Sequence, residues 1–84
     1  MPYYTYILQS EKTGKYYIGS TGNLEDRLQR HNQGRSGYTK SGIPWKLVYK
    51  EEYSTRSDAA KREQAIKQRK DRQYVADLVR ASRP

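Results

Sequence analysis

Residues 3–9 carry apolar side chains on both sides of an alternating pattern, with Tyr4, Tyr6 and Leu8 on one face and Tyr3, Thr5 and Ile7 on the other. Successive strand side chains point to opposite faces, and the aromatic and β-branched content marks a strand. Two apolar faces predict a central one. Ser10-Glu11-Lys12-Thr13-Gly14 reads as a turn, with Gly14 suited to positive φ. Lys15–Ser20 is a second strand, and the short connection makes the pair an antiparallel hairpin. Thr21-Gly22-Asn23 can cap a helix running from Leu24 to about Asn32, whose apolar stripe is thin, Leu24 and Leu28. Residues 33–42 hold three Gly and few apolar residues, which predicts a mobile loop whose cations are Arg35 and Lys40. Trp45–Tyr53 is a third strand entered from Pro44, with Trp45, Leu47 and Tyr49 on one face. Thr55-Arg56-Ser57-Asp58 resembles a capping box and opens a helix to about Arg69. Asp71 caps a last helix, with Val75, Leu78 and Val79 inward. The order strand-strand-helix-strand-helix-helix predicts an α+β fold, a three-stranded antiparallel sheet flanked by helices.

The chain is 84 residues long, enough for one domain covering residues 1–84. A chain of this size buries roughly 60% of its unfolded surface, so a shallow groove is expected in place of a deep pocket. Lys and Arg number 17 against 9 acidic residues, a net charge of +8. That balance favours polyanionic partners, nucleic acid ahead of anionic membrane, although a solubilising surface would have the same composition. There is no Cys, which excludes disulfides and thiolate metal sites and suits a reducing cytoplasm. No signal peptide and no membrane-spanning run is expected.

Nine Tyr and no Phe raise the question of what the hydroxyls do. A ring used only as filler needs no hydroxyl partner, whereas a phenol can donate, accept or, deprotonated, act as a base. Tyr6 and Tyr17 are separated by ten residues, and Arg27 follows Tyr17 by ten positions. Arg27 either pairs with a surface acid such as Glu25 or Asp26 or clamps phosphate with its planar donors. His31 shares its helix face one turn on; it is either a satisfied helix histidine or a phosphate ligand and proton relay. Ala59, Glu63 and Ile66 fall at i, i+4 and i+7, so Glu63 projects from an apolar face. A charge there is costly unless paired or bound to a cation. It is therefore an ion-pair partner or a ligand for Mg²⁺ completed by water and substrate phosphate. Lys61, Arg62, Lys67, Arg69, Lys70 and Arg72 form either a solvated helix face or a track for a phosphate backbone. Walker, dinucleotide and His-rich zinc motifs do not occur.

Taken together, Tyr4-Thr5-Tyr6, Tyr17-Ile18-Gly19, the run Ser20 to Arg27 and His31-Asn32 resemble the GIY-YIG endonuclease superfamily. The resemblance extends from about Tyr3 to Lys70. It is strongest to the short stand-alone bacterial members, through Tyr38-Thr39-Lys40, Leu47-Val48-Tyr49 and Arg62-Glu63-Gln64-Ala65-Ile66-Lys67. Tyr4 replaces the Gly of the first motif, as in those short members, and the late Asn of some members has no counterpart after Glu63. The resemblance implies Mg²⁺-dependent phosphodiester hydrolysis, with Mn²⁺ as a substitute and no small-molecule cofactor. It carries catalytic roles onto Tyr6, Tyr17, Arg27, His31 and Glu63, with Glu63 as metal ligand and Tyr17, ahead of Tyr6, as base. The expected products carry 5′ phosphate and 3′ hydroxyl. Lys40, Lys61, Arg62, Lys67 and Lys70 are the expected nucleic-acid contacts.

The expected substrate is DNA ahead of RNA, recognised by structure or single-strandedness more than by base order, since no second DNA-reading segment is visible. DNA repair or recombination is the corresponding setting, and one active site suits a monomer or weak dimer. The competing reading is a non-catalytic nucleic-acid- or ribosome-binding module on the same fold. A housekeeping protein whose charge serves only solubility ranks last.

Overall fold

A computed structural model describes residues 2–35, 37–69 and 71–81. Its elements are β1 (Tyr3–Ser10), β2 (Tyr16–Thr21), α1 (Leu24–Asn32), β3 (Trp45–Tyr53), α2 (Arg56–Arg69) and α3 (Arg72–Ala81), with a one-turn 3₁₀ segment at Lys40–Gly42. The sheet order is β2-β1-β3, both pairings antiparallel. The central strand is the one whose two faces are apolar: Thr5, Tyr6, Ile7 and Leu8 are all buried.

Local chemistry sets the ends of the elements. Ser10 Oγ accepts the N–H groups of Lys12 and Thr13 at 3.1 and 2.9 Å, and Gly14 takes φ 76° to close the β1–β2 turn. Asn23 Oδ1 accepts the Asp26 N–H at 3.0 Å and starts α1. Thr55 Oγ1 accepts from Asp58 N–H at 3.1 Å, and Asp71 Oδ1 from Gln73 N–H at 2.9 Å, capping α2 and α3.

The sheet is covered on both faces. On one, Ile7 packs with Ile66 of α2 and Val75 and Val79 of α3, joined by Ile18, Val48, Tyr49 and Leu78. On the other, Tyr6, Leu8 and Trp45 pack with Tyr17 and with Leu24 and Leu28 of α1. The Thr5 hydroxyl, fully buried, donates to the Ala59 carbonyl at 2.7 Å and ties β1 to α2.

Two sequence expectations are corrected. Trp45, Leu47 and Tyr49 do not share a face. The pairing steps from Leu8↔Leu47 to Ile7↔Tyr49, a β-bulge that takes up Val48 and turns Tyr49 to the α2–α3 face; one extra residue on one strand inverts the alternation beyond it. The 33–42 segment is also not a loose loop at its far end. Thr39 and Gly42 are buried, the Trp45 indole donates to the Thr39 carbonyl at 2.7 Å, and Ser10 Oγ donates to the Gly42 carbonyl at 2.6 Å. Hydrogen bonds to backbone carbonyls hold this segment in place of apolar side chains.

Candidate active site

Tyr6 and Gly19 are cross-strand partners. A Cβ on residue 19 would stand 2.5 Å from Tyr6 Oη and 2.7 Å from Cζ, so the bare backbone of Gly19 is what lets the ring lie across β2. The hydroxyl then reaches His31 Nε2 at 3.3 Å, while His31 Nδ1 meets Thr39 Oγ1 at 2.8 Å. The Arg27 charge also acts on the Tyr6 hydroxyl.

Burial first, then Tyr17, push the Tyr6 hydroxyl up to about 12, against the opposing pull of Arg27; Glu63 adds to the rise. Burial, then the Arg27 charge, hold His31 below the usual imidazole range. At neutral pH Tyr6 keeps its proton and His31 is uncharged.

Tyr17 lies on the same face, opposite Leu8. Its ring centroid is 4.7 Å from His31, 6.4 Å from Tyr6, 5.9 Å from Tyr38 and 6.4 Å from Trp45. It borders an open cavity of about 550 Å³ whose other walls are Arg27, Arg30, His31 and Arg35. Arg27 Nε is buried and, among the described residues, has no hydrogen-bond partner. A second concavity of about 410 Å³ adjoins the first at Tyr17 and is lined by Tyr16, Ile18, Tyr38 and Lys67.

Glu63 stands on α2 beside the edge strand β2. Ser20 Oγ donates to its Oε1 at 2.7 Å and Lys67 Nζ to its Oε2 at 2.6 Å, with 17% of the Glu63 side chain exposed. Its charge reaches Tyr6. Among the described residues no group of three or more His, Cys, Asp or Glu could hold a metal ion.

A family model described as the GIY-YIG catalytic domain matches residues 2–75. The chain belongs to the GIY-YIG family. This GIY-YIG domain is thereby a member of a nuclease family, with nucleic acid as the implied class of substrate. It is 51% identical over 67 residues to the UPF0213 protein of Syntrophus aciditrophicus, spanning 76% of this chain and 75% of that one. Over 80 residues it is 39% identical to the UPF0213 protein YsiG of Lactococcus lactis, spanning 93% and 75% of the two chains. The solution NMR structure of the UPF0213 protein BH0048 from Bacillus halodurans superposes with a TM-score of 0.61 at 28% identity, covering 98% of this GIY-YIG domain and 86% of that chain. Among the described residues no helix is long and apolar enough to cross a membrane.

The expected site residues of the GIY-YIG domain are distributed unevenly. Tyr6, Tyr17, Arg27 and His31 form one cluster, with Glu63 and Lys67 at its β2 side. Arg62 is elsewhere: its Nε bonds Glu51 Oε1 at 2.9 Å, a half-buried pair on the α2–α3 face. Lys61 lies on the outer side of α2 beside Ser57, Gln64 and Gln68, and the Lys40 stem lies beside Gly34. Lys70 falls outside the described residues. The basic run is therefore divided: Arg69 covers the Tyr74 ring at 4.1 Å and Arg72 the Tyr16 ring at 5.2 Å. Sequence reasoning gave no role to Arg30, Arg35, Tyr38, Ser20 or Thr39. The Arg at i+3 from Arg27 was a usable signal for Arg30, whereas the convergence of Arg35 and Tyr38 needs the folded loop.

Proposed function

We propose that this GIY-YIG domain, acting as one unit, is a metal-dependent endonuclease. Its substrate is DNA that is single-stranded or branched, cleaved without strong dependence on base order, in the cytoplasm and in the setting of DNA repair or recombination. The observation that carries this reading is Arg27 Nε, buried and without a hydrogen-bond partner among the described residues, at the wall of a cavity lined by two further arginines. An unsatisfied buried charged donor costs several kilocalories at the upper end (~1–3 kcal/mol or more), and a phosphate oxygen satisfies it. Three guanidiniums also concentrate positive potential where a phosphodiester would sit.

The Glu63 carboxylate fits a magnesium ion chemically. It offers hard oxygen donors in a partly buried position, already receives a cation in the form of the Lys67 ammonium, and leaves further ligands to water and phosphate. When bound there, Mg²⁺ supplies Lewis-acid stabilisation of charge at the leaving 3′ oxygen. The remaining roles belong to side chains. Tyr17, which borders the cavity, is the base; Tyr6, its proton held to about 12, orients. Arg27 neutralises the phosphoryl oxygens as charge develops. His31 fixes Tyr6 through Nε2 and is itself fixed by Thr39. Arg30, Arg35 and Lys67 are the phosphate contacts this geometry favours over Lys61 and Arg62, with Lys40 and Lys70 kept from the sequence expectation.

One observation favours the second reading, a nucleic-acid- or ribosome-binding module: Glu63 already has an ion-pair partner in Lys67. That partner lies in the same concavity as Tyr17, so the pair is part of the site and not remote from it. Incubating single-stranded, branched and duplex DNA with the domain separates the readings. Cleavage with Mg²⁺ that stops in EDTA and in Glu63→Ala supports the nuclease. A salt-sensitive gel shift without cleavage in either condition selects the binding module.

A further inference from the structure

We infer that Tyr38 and the concavity beneath it form a stacking platform for one unpaired nucleobase, and that this platform, more than the arginine-lined cavity, makes the domain prefer single strands to duplex. The inference rests on the nucleic-acid reading above and goes beyond it by assigning the selectivity to a place. Tyr38 is 82% exposed, the most exposed of the large hydrophobic side chains among the described residues. Its ring sits 5.9 Å from Tyr17 at an interplanar angle of 47°, and Tyr17 is itself backed by His31 at 4.7 Å. One edge of Tyr38 is thus anchored against a packed cluster, while most of its surface faces solvent.

The concavity it borders is lined by three tyrosines, Ile18 and one cation, Lys67. Aromatic faces with a single ammonium alongside are what a base and its phosphate require. Tyr17 borders both this concavity and the arginine-lined one. A strand that seats a phosphate against Arg27 therefore brings a neighbouring nucleotide to Tyr38. In a duplex both faces of each interior base are covered by its neighbours, so Tyr38 has nothing to stack on. The arginines contact backbone, which both forms present. The two concavities divide the work: one holds phosphate regardless of strandedness, the other accepts only a base out of the stack.

The test is fluorescence anisotropy in EDTA, so that nothing is cleaved, with a labelled oligodeoxythymidylate, the same strand carrying one abasic position at each site in turn, and a blunt duplex. Tyr38→Ala is expected to weaken single-strand binding about tenfold, within the range for loss of one stacked base, and to leave duplex binding within about twofold. Tyr38→Phe keeps the ring and is expected to bind as the parent does. One abasic position should cost the parent a similar factor and cost Tyr38→Ala little more, the signature of a single shared contact. Equal losses on single strand and duplex, or no loss on either while Arg27→Ala still weakens both, overturn the platform and leave the nucleic-acid reading standing. Absence of binding to every probe by the parent protein overturns both.

Discussion

On the α2–α3 face of the sheet, Glu51 sits between Tyr49, Tyr53 and Arg62; on the α1 face, Tyr6 sits between His31 and Arg27, with Glu63 at the neighbouring edge. The ingredients are alike: phenols, a guanidinium and a carboxylate. The first set is closed. Both Glu51 oxygens receive donors, Arg62 meets them at 2.9 to 3.2 Å, and although burial would raise it, the bonds from Arg62, Tyr49 and Tyr53 hold the carboxyl below its usual range. The second set is open, because Arg27 Nε is buried at a cavity wall with no hydrogen-bond partner among the described residues. Closure is what a structural network needs. An unfilled donor at a cavity is what a binding site leaves for its ligand.

Exchanging the two arginine environments gives the largest expected effects. Arg27→Ala should lower the single-turnover cleavage rate by ~10²–10³, as for loss of a transition-state donor, while the urea midpoint stays level or rises, since an unsatisfied buried donor is gone. Glu51→Gln should do the reverse. The Arg62–Glu51 pair is only 29% and 19% exposed, so stranding Arg62 should cost about 2 kcal/mol, at or below the range for breaking a fully buried pair. Cleavage per folded molecule should not change. Should Arg27→Ala unfold the domain as readily as Glu51→Gln, the open and closed sets would be equivalent and the argument for a ligand at Arg27 would fail.

A smaller effect sharpens the comparison from the backbone side. Gly19→Ala places a methyl 2.5 Å from Tyr6 Oη, a separation that forces the ring to move. Overpacking of this kind costs ~1–3 kcal/mol. The displaced hydroxyl should also part from His31 Nε2, so activity should fall by more than the change in folded fraction accounts for. Urea denaturation and cleavage measured on the same preparation separate the two losses; a stability loss with an unchanged rate would make Gly19 a packing residue only.

How far these features were legible in the chain depends on the range of the interactions behind them. Strand β1 was visible because both alternating faces are apolar, and the three helix starts because Asn23, Thr55 and Asp71 act on backbone groups two or three residues away. The half-burial of Glu63 followed from its spacing to Ala59 and Ile66. Its partner Lys67 at i+4 is equally local, but spacing alone does not say whether a lysine turns inward to the carboxylate or outward to a nucleic acid. The bulge at Val48 was not legible, since register comes from the partner strand. Neither was the ordered end of the 33–42 segment, held by carbonyls that have no sequence signature. Arg35 and Tyr38 reach the site only because that segment folds back toward Tyr17.

The smallest predicted effect bears on the open set directly. Burial and the Arg27 charge keep His31 below its ordinary pKa. In the unfolded chain the imidazole titrates near ~6.5. Between that value and the lower folded one, the unfolded state binds more protons, so stability rises with pH and is lost as pH falls. The contribution of His31 is therefore complete above about pH 7 and declines on acidification below ~6.5. The Glu51 carboxyl, also held low, begins to matter only as pH falls into the ordinary carboxylate range, so the interval from pH 7 to pH 5 isolates the histidine. Urea midpoints across that interval should drop for the parent and stay flatter for His31→Gln, whose amide can still meet Tyr6 or Thr39 but does not titrate. A parallel fall in both proteins would trace the acid sensitivity to another group. Addition of a short single-stranded DNA sharpens the comparison once more: with phosphate on Arg27 part of the positive field on His31 is cancelled, its pKa should rise, and the acid loss, still beginning near ~6.5, should level off at a higher pH and be smaller.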